Sequence, residues 1–147
     1  MKIIESIWVK DLEGQEVDLI SRYKDRALLI IIYNNRCLGC TGRAIPLAYE
    51  YQQKLKDLQV LGIHSNFGKE ITSKQDIYNI FTSGQPPFPI YIDENHKVYD
   101  AFQAEGTPQW LLITSNGQLY RSIFGSQEGA QNRLSYALEV LLQGGDQ

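Results

Sequence analysis

Apolar residues fall in blocks along this chain, and the spacing within each block names an element. Ile3 to Val9 and Glu16 to Leu19 read as short strands joined by a turn at Asp11-Leu12-Glu13-Gly14. Ala27-Leu28-Leu29-Ile30-Ile31-Ile32-Tyr33, bounded by Lys24-Asp25-Arg26 and Asn34-Asn35-Arg36, shows no polar alternation and predicts a central strand covered on both faces. From about Leu38 to Leu58 the apolar positions Ala44, Ile45, Leu47, Ala48, Tyr51, Leu55 and Leu58 recur at helical spacing. Pro46 inside that helix removes a backbone donor and crowds the carbonyl of Gly42, so a bend is expected there.

Val60 to Ser65 predicts a second buried strand. Ser73-Lys74-Gln75-Asp76 resembles a capping box and opens a helix carrying Ile77, Ile80 and Phe81, which stops by Gly84. Pro86-Pro87-Phe88-Pro89 sets the entry to a strand at Ile90-Tyr91-Ile92, followed by a short helix from about His96 to Phe102. Trp110 to Thr114 and Leu119 to Phe124 flank Asn116-Gly117, the strongest hairpin signal in the sequence. A last helix, about Glu128 to Leu142, buries Leu134, Ala137, Leu138 and Leu141 and ends at Gly144-Gly145. This order predicts an α/β domain spanning 1–147, with a mixed central sheet flanked by helices and an extra N-terminal β-hairpin.

Composition narrows the function classes. With 43% hydrophobic and 21% charged residues the chain has the makeup of a soluble globular protein able to bury a core. A net charge of −3 argues against nucleic acid or an anionic membrane surface as partner. No apolar run approaches the ~20 residues that span a bilayer. Met1 to Trp8 lacks the hydrophobic region of a signal peptide, so the expected location is cytoplasmic as the sequence stands, and extracytoplasmic if a leader precedes it.

The chemistry centres on Cys37-Leu38-Gly39-Cys40, which holds both cysteines of the chain and follows the central strand. A loop this short makes a poor structural staple, worth roughly 2 kcal/mol at most on the chain-entropy model. Reactivity explains the pair better. A helix N-terminus offers unpaired N–H groups and partial positive charge, which stabilise a thiolate at Cys37, and Cys40 follows one turn on. Two thiolates supply only half of a tetrahedral zinc set, and no Cys or His follows at ligand spacing, so no metal is expected.

With Cys37-x-x-Cys40 after a central strand, Pro46 in the next helix and Gly106-Thr107-Pro108 before the final hairpin, the sequence resembles the thioredoxin superfamily, nearest its TlpA/ResA-like, peroxiredoxin-related branch. The resemblance covers nearly the whole chain. It implies a thioredoxin-like fold and a cis peptide bond before Pro108 that faces the dithiol. It also implies that Thr107 shapes the site and offers backbone hydrogen bonds to an extended substrate segment. Three departures stand out. Arg36 replaces the aromatic residue usual before the first cysteine. Pro46 comes six residues after Cys40, one more than is customary, as if a residue were inserted near Gly42. Ile31 stands where thioredoxins carry a buried aspartate, and Arg43 where ResA-like proteins carry a glutamate, so the usual proton partner of the second thiol is missing.

The expected function is therefore thiol–disulfide exchange: Cys37 as nucleophile, Cys40 as resolving thiol, and their internal disulfide in place of any cofactor. Disulfide-containing client proteins and an upstream dithiol reductant are the expected partners, and a cytosolic setting favours net reduction. Leu38 and Gly39 shape the motif, Gly39 adding flexibility. Two readings stand for Arg36, a promoter of the Cys37 thiolate and a solvated loop charge. Two also stand for His64, a proton acceptor for Cys40 and a histidine hydrogen-bonded at a strand end. The rival functions are a thioredoxin-fold binding module that has lost its proton relay and a thiol peroxidase. Peroxiredoxins need a threonine three residues before the reactive cysteine, where this chain has Asn34.

Overall fold

The computed structural model describes residues 2–145. Eight strands, β1 (Lys2–Ile3), β2 (Trp8–Lys10), β3 (Glu16–Asp18), β4 (Ala27–Tyr33), β5 (Leu58–Ser65), β6 (Ile90–Asp93), β7 (Gln109–Ile113) and β8 (Gln118–Phe124), form one sheet in the order β1-β8-β7-β4-β5-β6-β2-β3. β4, β5 and β6 run parallel, and every other pairing is antiparallel.

The uninterrupted apolar run of β4 is explained by its two dry faces. Leu29, Ile31 and Tyr33 enter one core with Cys40, Ala44, Ile45, Ala48, Trp110 and Leu134, while Leu28, Ile30 and Ile32 enter a second with Leu19, Leu61, Val98 and Leu111. The first core is roofed by α2 (Ile45–Lys54), α3 (Lys74–Asn79) and α5 (Glu128–Val140), the second by α1 (Leu19–Arg22) and α4 (Lys97–Ala101).

Several boundaries differ from the sequence expectation, each for a local reason. The apolar stretch from Ile3 to Val9 is not one strand. β1 pairs with β8 at one sheet edge, whereas β2 pairs with β3 and touches β6 at the other. Between them Ile4 and Ile7 are buried in the second core, so this segment crosses the sheet's face. Leu19 begins α1 instead of ending a strand, because the Asp18 carboxylate caps the helix by accepting from the Ile20 amide at 3.1 Å and also holds the Ile7 amide at 2.9 Å. The long helix ends at Lys54, since Leu55 adopts an extended conformation, and β5 starts at Leu58. The capping box at Ser73 and Asp76 is present with both of its hydrogen bonds. The last helix continues past Val140 as a π-helical turn that ends at Gly145, within the expected Gly144-Gly145 stop.

One contact fixes the loop that precedes β7. A Cβ built on Gly106 would lie 2.7 Å from the edge of the half-exposed Phe124 ring on β8, so a larger residue there must push that ring aside. Gly106→Ala is therefore expected to destabilise the protein by about 0.5–1.5 kcal/mol, the cost of forcing the Phe124 ring off its rotamer. Phe124→Leu should recover most of that loss. Urea unfolding of the two single variants and the double variant measures the coupling, and strict additivity would rule this contact out as the cause.

Candidate active site

β4 lies between the parallel strand β5 and the antiparallel strand β7, and the loop after Tyr33 opens at the carboxyl ends of the parallel strands, where side chains converge in such sheets. Helical backbone begins at Leu38, which makes Cys37 the residue flanking the helix start. The Cys37 sulfur sits where a capping oxygen would: it accepts the backbone N–H of Cys40 at 3.2 Å. The same sulfur lies 3.3 Å from the carbonyl oxygen of Thr107, to which its thiol donates. The Thr107–Pro108 peptide bond is cis. Cys37 Sγ is thus held between a helix N–H and the carbonyl that precedes the cis proline.

Both thiols are free, with Cys37 partly exposed and Cys40 0% exposed. Burial pushes the Cys40 thiol up to about 12, and its hydrogen bond and charge coupling with Cys37 add to that, while hydrogen bonds from the Asn34 backbone and the Thr107 side chain pull it back. Cys40 is more enclosed than a surface dithiol requires. Thr107 meets the Cys37 sulfur through its carbonyl.

The extra residue between Cys40 and Pro46 takes a definite form. Cys40–Ala44 is a π-helical turn in which the Ile45 N–H reaches the Cys40 carbonyl, five residues back, before the chain resumes as α2. A π turn is an α-helix with one residue more, and such turns cluster at functional sites. Pro46 sits in the first turn of α2, where a missing N–H costs little, so the expected bend is met by a change of helix type. Gly39 packs under the loop before α5: a Cβ there would lie 2.7 Å from Ser126 Oγ. Leu38, between the cysteines, is 85% exposed and lies at the mouth of the site.

Arg36 and His64 each bond across to a neighbouring loop. The Arg36 side chain is exposed, and its guanidinium pairs with Glu70 of the loop after β5 at 3.6 Å. His64 is 1% exposed, and both ring nitrogens are engaged. Nε2 accepts the Asn35 backbone N–H at 3.1 Å, and Nδ1 bonds Asn66 Oδ1 at 2.8 Å. With its lone pair so occupied, His64 is not placed to take a proton from Cys40. Tyr33 does not fill that role either: its hydroxyl is buried in the Cys40 cluster without a hydrogen-bond partner, and burial first, then the Cys40 charge, drives its ionisation out of reach.

Sequence reasoning missed the polar cage beneath the dithiol loop. Asn34 Nδ2 donates to the Ser65 carbonyl and to Glu70 Oε1, both at 2.9 Å, and Asn34 Oδ1 accepts the Arg36 N–H at 2.8 Å. Asn35 Nδ2 reaches the Asp76 carbonyl at 3.0 Å, and the Cys37 amide closes a turn on the Asn34 carbonyl at 3.0 Å. The available signal was Asn34-Asn35 itself, a pair of turn-forming amides placed directly after a strand that has no polar face. Ser126, Asn66, Glu70 and Thr72 carried no such mark in the sequence.

The AhpC/TSA family model matches residues 2–124. The chain is 23% identical over 119 residues to the thiol-disulfide oxidoreductase ResA of Bacillus subtilis, covering 80% of this chain and 63% of that protein. It is 26% identical over 96 residues to the thiol-disulfide oxidoreductase YkuV of the same organism, covering 65% of this chain and 64% of that one. The chain therefore spans just under two thirds of the length of these two relatives. Among solved structures, a putative thiol:disulfide interchange protein DsbE from Chlorobium tepidum superposes with a TM-score of 0.79 at 17% identity, covering 96% of each chain. The thioredoxin-like fold implied by the motifs is the fold the two share. A family match running from β1 to the end of β8, on a sheet that carries its paired thiols at the tip of the central strand, makes this chain a member of the AhpC/TSA family.

Proposed function

We propose that the protein is a thiol–disulfide oxidoreductase that exchanges the Cys37–Cys40 dithiol with disulfides of client proteins. The observation that carries this reading is the placement of Cys37 Sγ, partly exposed and capped by the helix N–H of Cys40, with the second thiol directly behind it. The Cys37 thiolate attacks one sulfur of a substrate disulfide, forming a mixed disulfide and expelling the other sulfur as a thiolate that takes up a proton. Cys40 then loses its proton and attacks Cys37 Sγ, closing the internal disulfide and releasing the second substrate thiol. Two electrons pass from the protein to the substrate, and an upstream dithiol donor returns them. The redox-active disulfide is the only cofactor this cycle uses. Asn34, at the position where a peroxidase needs its threonine, has its amide committed to Ser65, Glu70 and the Arg36 N–H, which favours disulfide exchange over peroxide reduction.

Resolution should be the pH-sensitive step. A raised thiol pKa leaves Cys40 protonated at neutral pH, and two of the causes that raise it belong to Cys37 itself. Forming the mixed disulfide removes that charge and that hydrogen bond, so attack on the substrate lowers the barrier to ionising the resolving thiol.

Two experiments test the scheme. Cys40→Ser should accumulate mixed disulfides with client proteins and Cys37→Ser none, read on non-reducing gels after acid quenching. Equal trapping by both variants, or by neither, would favour a binding module instead. In the second, wild-type protein carrying 5-thio-2-nitrobenzoate on Cys37 should release the chromophore faster as pH rises, by up to about tenfold per unit between roughly pH 6 and pH 8, because the thiolate fraction of a raised-pKa thiol grows that way. A rate indifferent to pH would contradict the assignment of Cys40 as an enclosed, protonated resolving group.

A further inference from the structure

His64 is buried at the end of β5 and directly opposite Tyr33 in the parallel ladder, yet its contacts run to the loop that presents the nucleophile. Asn66 Oδ1 can only accept, and it already takes the Thr72 hydroxyl at 2.9 Å, so the hydrogen it shares with His64 belongs to Nδ1. Nε2 is then bare, and its lone pair receives the Asn35 N–H at 3.1 Å. This bond exists only while the ring is neutral. A proton on Nε2 would set two donors against each other at a buried contact, an arrangement that cannot persist.

We propose that His64 is a positioning residue for the dithiol: its neutral ring latches the Asn34–Arg36 loop in the conformation that presents Cys37, and protonation of the ring opens the latch. The proposal rests on the exchange activity proposed above and adds to it an acid-side control separate from either thiol. Asn35 is the pivot. Its N–H is held by His64, its side chain by the Asp76 carbonyl at the start of α3, and the Cys37 turn begins one residue before it.

The surroundings set the direction of the titration. The Tyr33 ring of β4 meets the imidazole edge-on at 5.2 Å, and burial holds the histidine below its ordinary range. Opposing this are the Asn66 bond, the Glu70 carboxylate of the loop after β5 and, more weakly, Asp76. Glu70 is already committed to Asn34 and Arg36. Asp93 of β6 is committed to the Ser65 hydroxyl and to the Val98 and Tyr99 amides. Because the folded ring binds its proton less readily than the unfolded one, the latch contributes stability above the ordinary histidine range and loses it as pH falls through the lowered value.

The test has a structural arm and a kinetic arm. In nitrogen-15 spectra of the wild-type protein, neutral His64 should show a protonated Nδ1 and a bare Nε2, and the Asn35 amide should shift and lose protection from exchange as His64 titrates. In the kinetic arm, the rate of Cys37 alkylation by iodoacetamide is divided by the Cys37 thiolate fraction from ultraviolet absorbance. That corrected rate should fall about tenfold on the acid side of the His64 titration, the factor supplied by one ordinary hydrogen bond. His64→Gln places an acceptor near the position of Nε2 but cannot titrate, so it should remove the acid limb while staying within about threefold of wild type at neutral pH. His64→Leu should be slow at every pH. An Nε2-protonated tautomer, an Asn35 amide indifferent to His64, or an acid limb that survives in His64→Gln would each overturn the proposal. A protein without exchange activity would fail the Cys40→Ser trap while leaving the spectroscopic arm to decide the latch.

Discussion

The site depends on a constraint set by β4: a strand packed dry on both faces carries no polar side-chain group except the Tyr33 hydroxyl until it leaves the sheet. Everything that reacts must therefore be placed by the few residues after Tyr33. The structure meets this demand with backbone and amide groups. Asn34 ties the loop down to Ser65 and Glu70, Asn35 ties it to His64 and Asp76, and the Cys37 sulfur takes the place of a helix-capping oxygen. The hydrophobic core supplies the stability and the loop supplies the placement. The two meet at Cys40, whose sulfur belongs to the core cluster and whose amide belongs to the site.

Much of this was legible in the sequence because it depended on local signals. The apolar run of β4, the Asn116-Gly117 hairpin, the Ser73 capping box and the Cys-x-x-Cys spacing each declare themselves within a few residues. Contacts between distant segments were not legible. Nothing in the Ile3 to Val9 pattern says that its two ends pair with opposite edges of one sheet, since both ends and the buried crossing between them satisfy the same apolar alternation. His64 illustrates the same limit at the site. A histidine at a strand end beside a dithiol invites a catalytic reading, and only the hydrogen bonds of both nitrogens show that its lone pair is already in use.

The additional residue before Pro46 lies between these cases. Its presence could be counted, but whether it forms a loop, a kink or a wider helical turn depends on the geometry of the helix that receives it. The π turn at Cys40–Ala44 keeps Ala44 and Ile45 in the core while adding a residue to the segment that carries the second thiol. The wider turn leaves that thiol enclosed, consistent with the burial that raises its pKa.

The N-terminal segment has a consequence of a different kind. Both outermost strands, β1 and β3, come from residues 2–18, and they close the sheet on either side, one against β8 and one through β2 against β6. The earliest residues described here are thus the borders of the sheet. Neither border can be sealed until strands far along the polypeptide exist to receive it, so closure requires long loops to be ordered before any reward is gained. Until then the flanks of β6 and β8 present unpaired backbone, which makes a half-finished chain the form most open to mispairing with its neighbours.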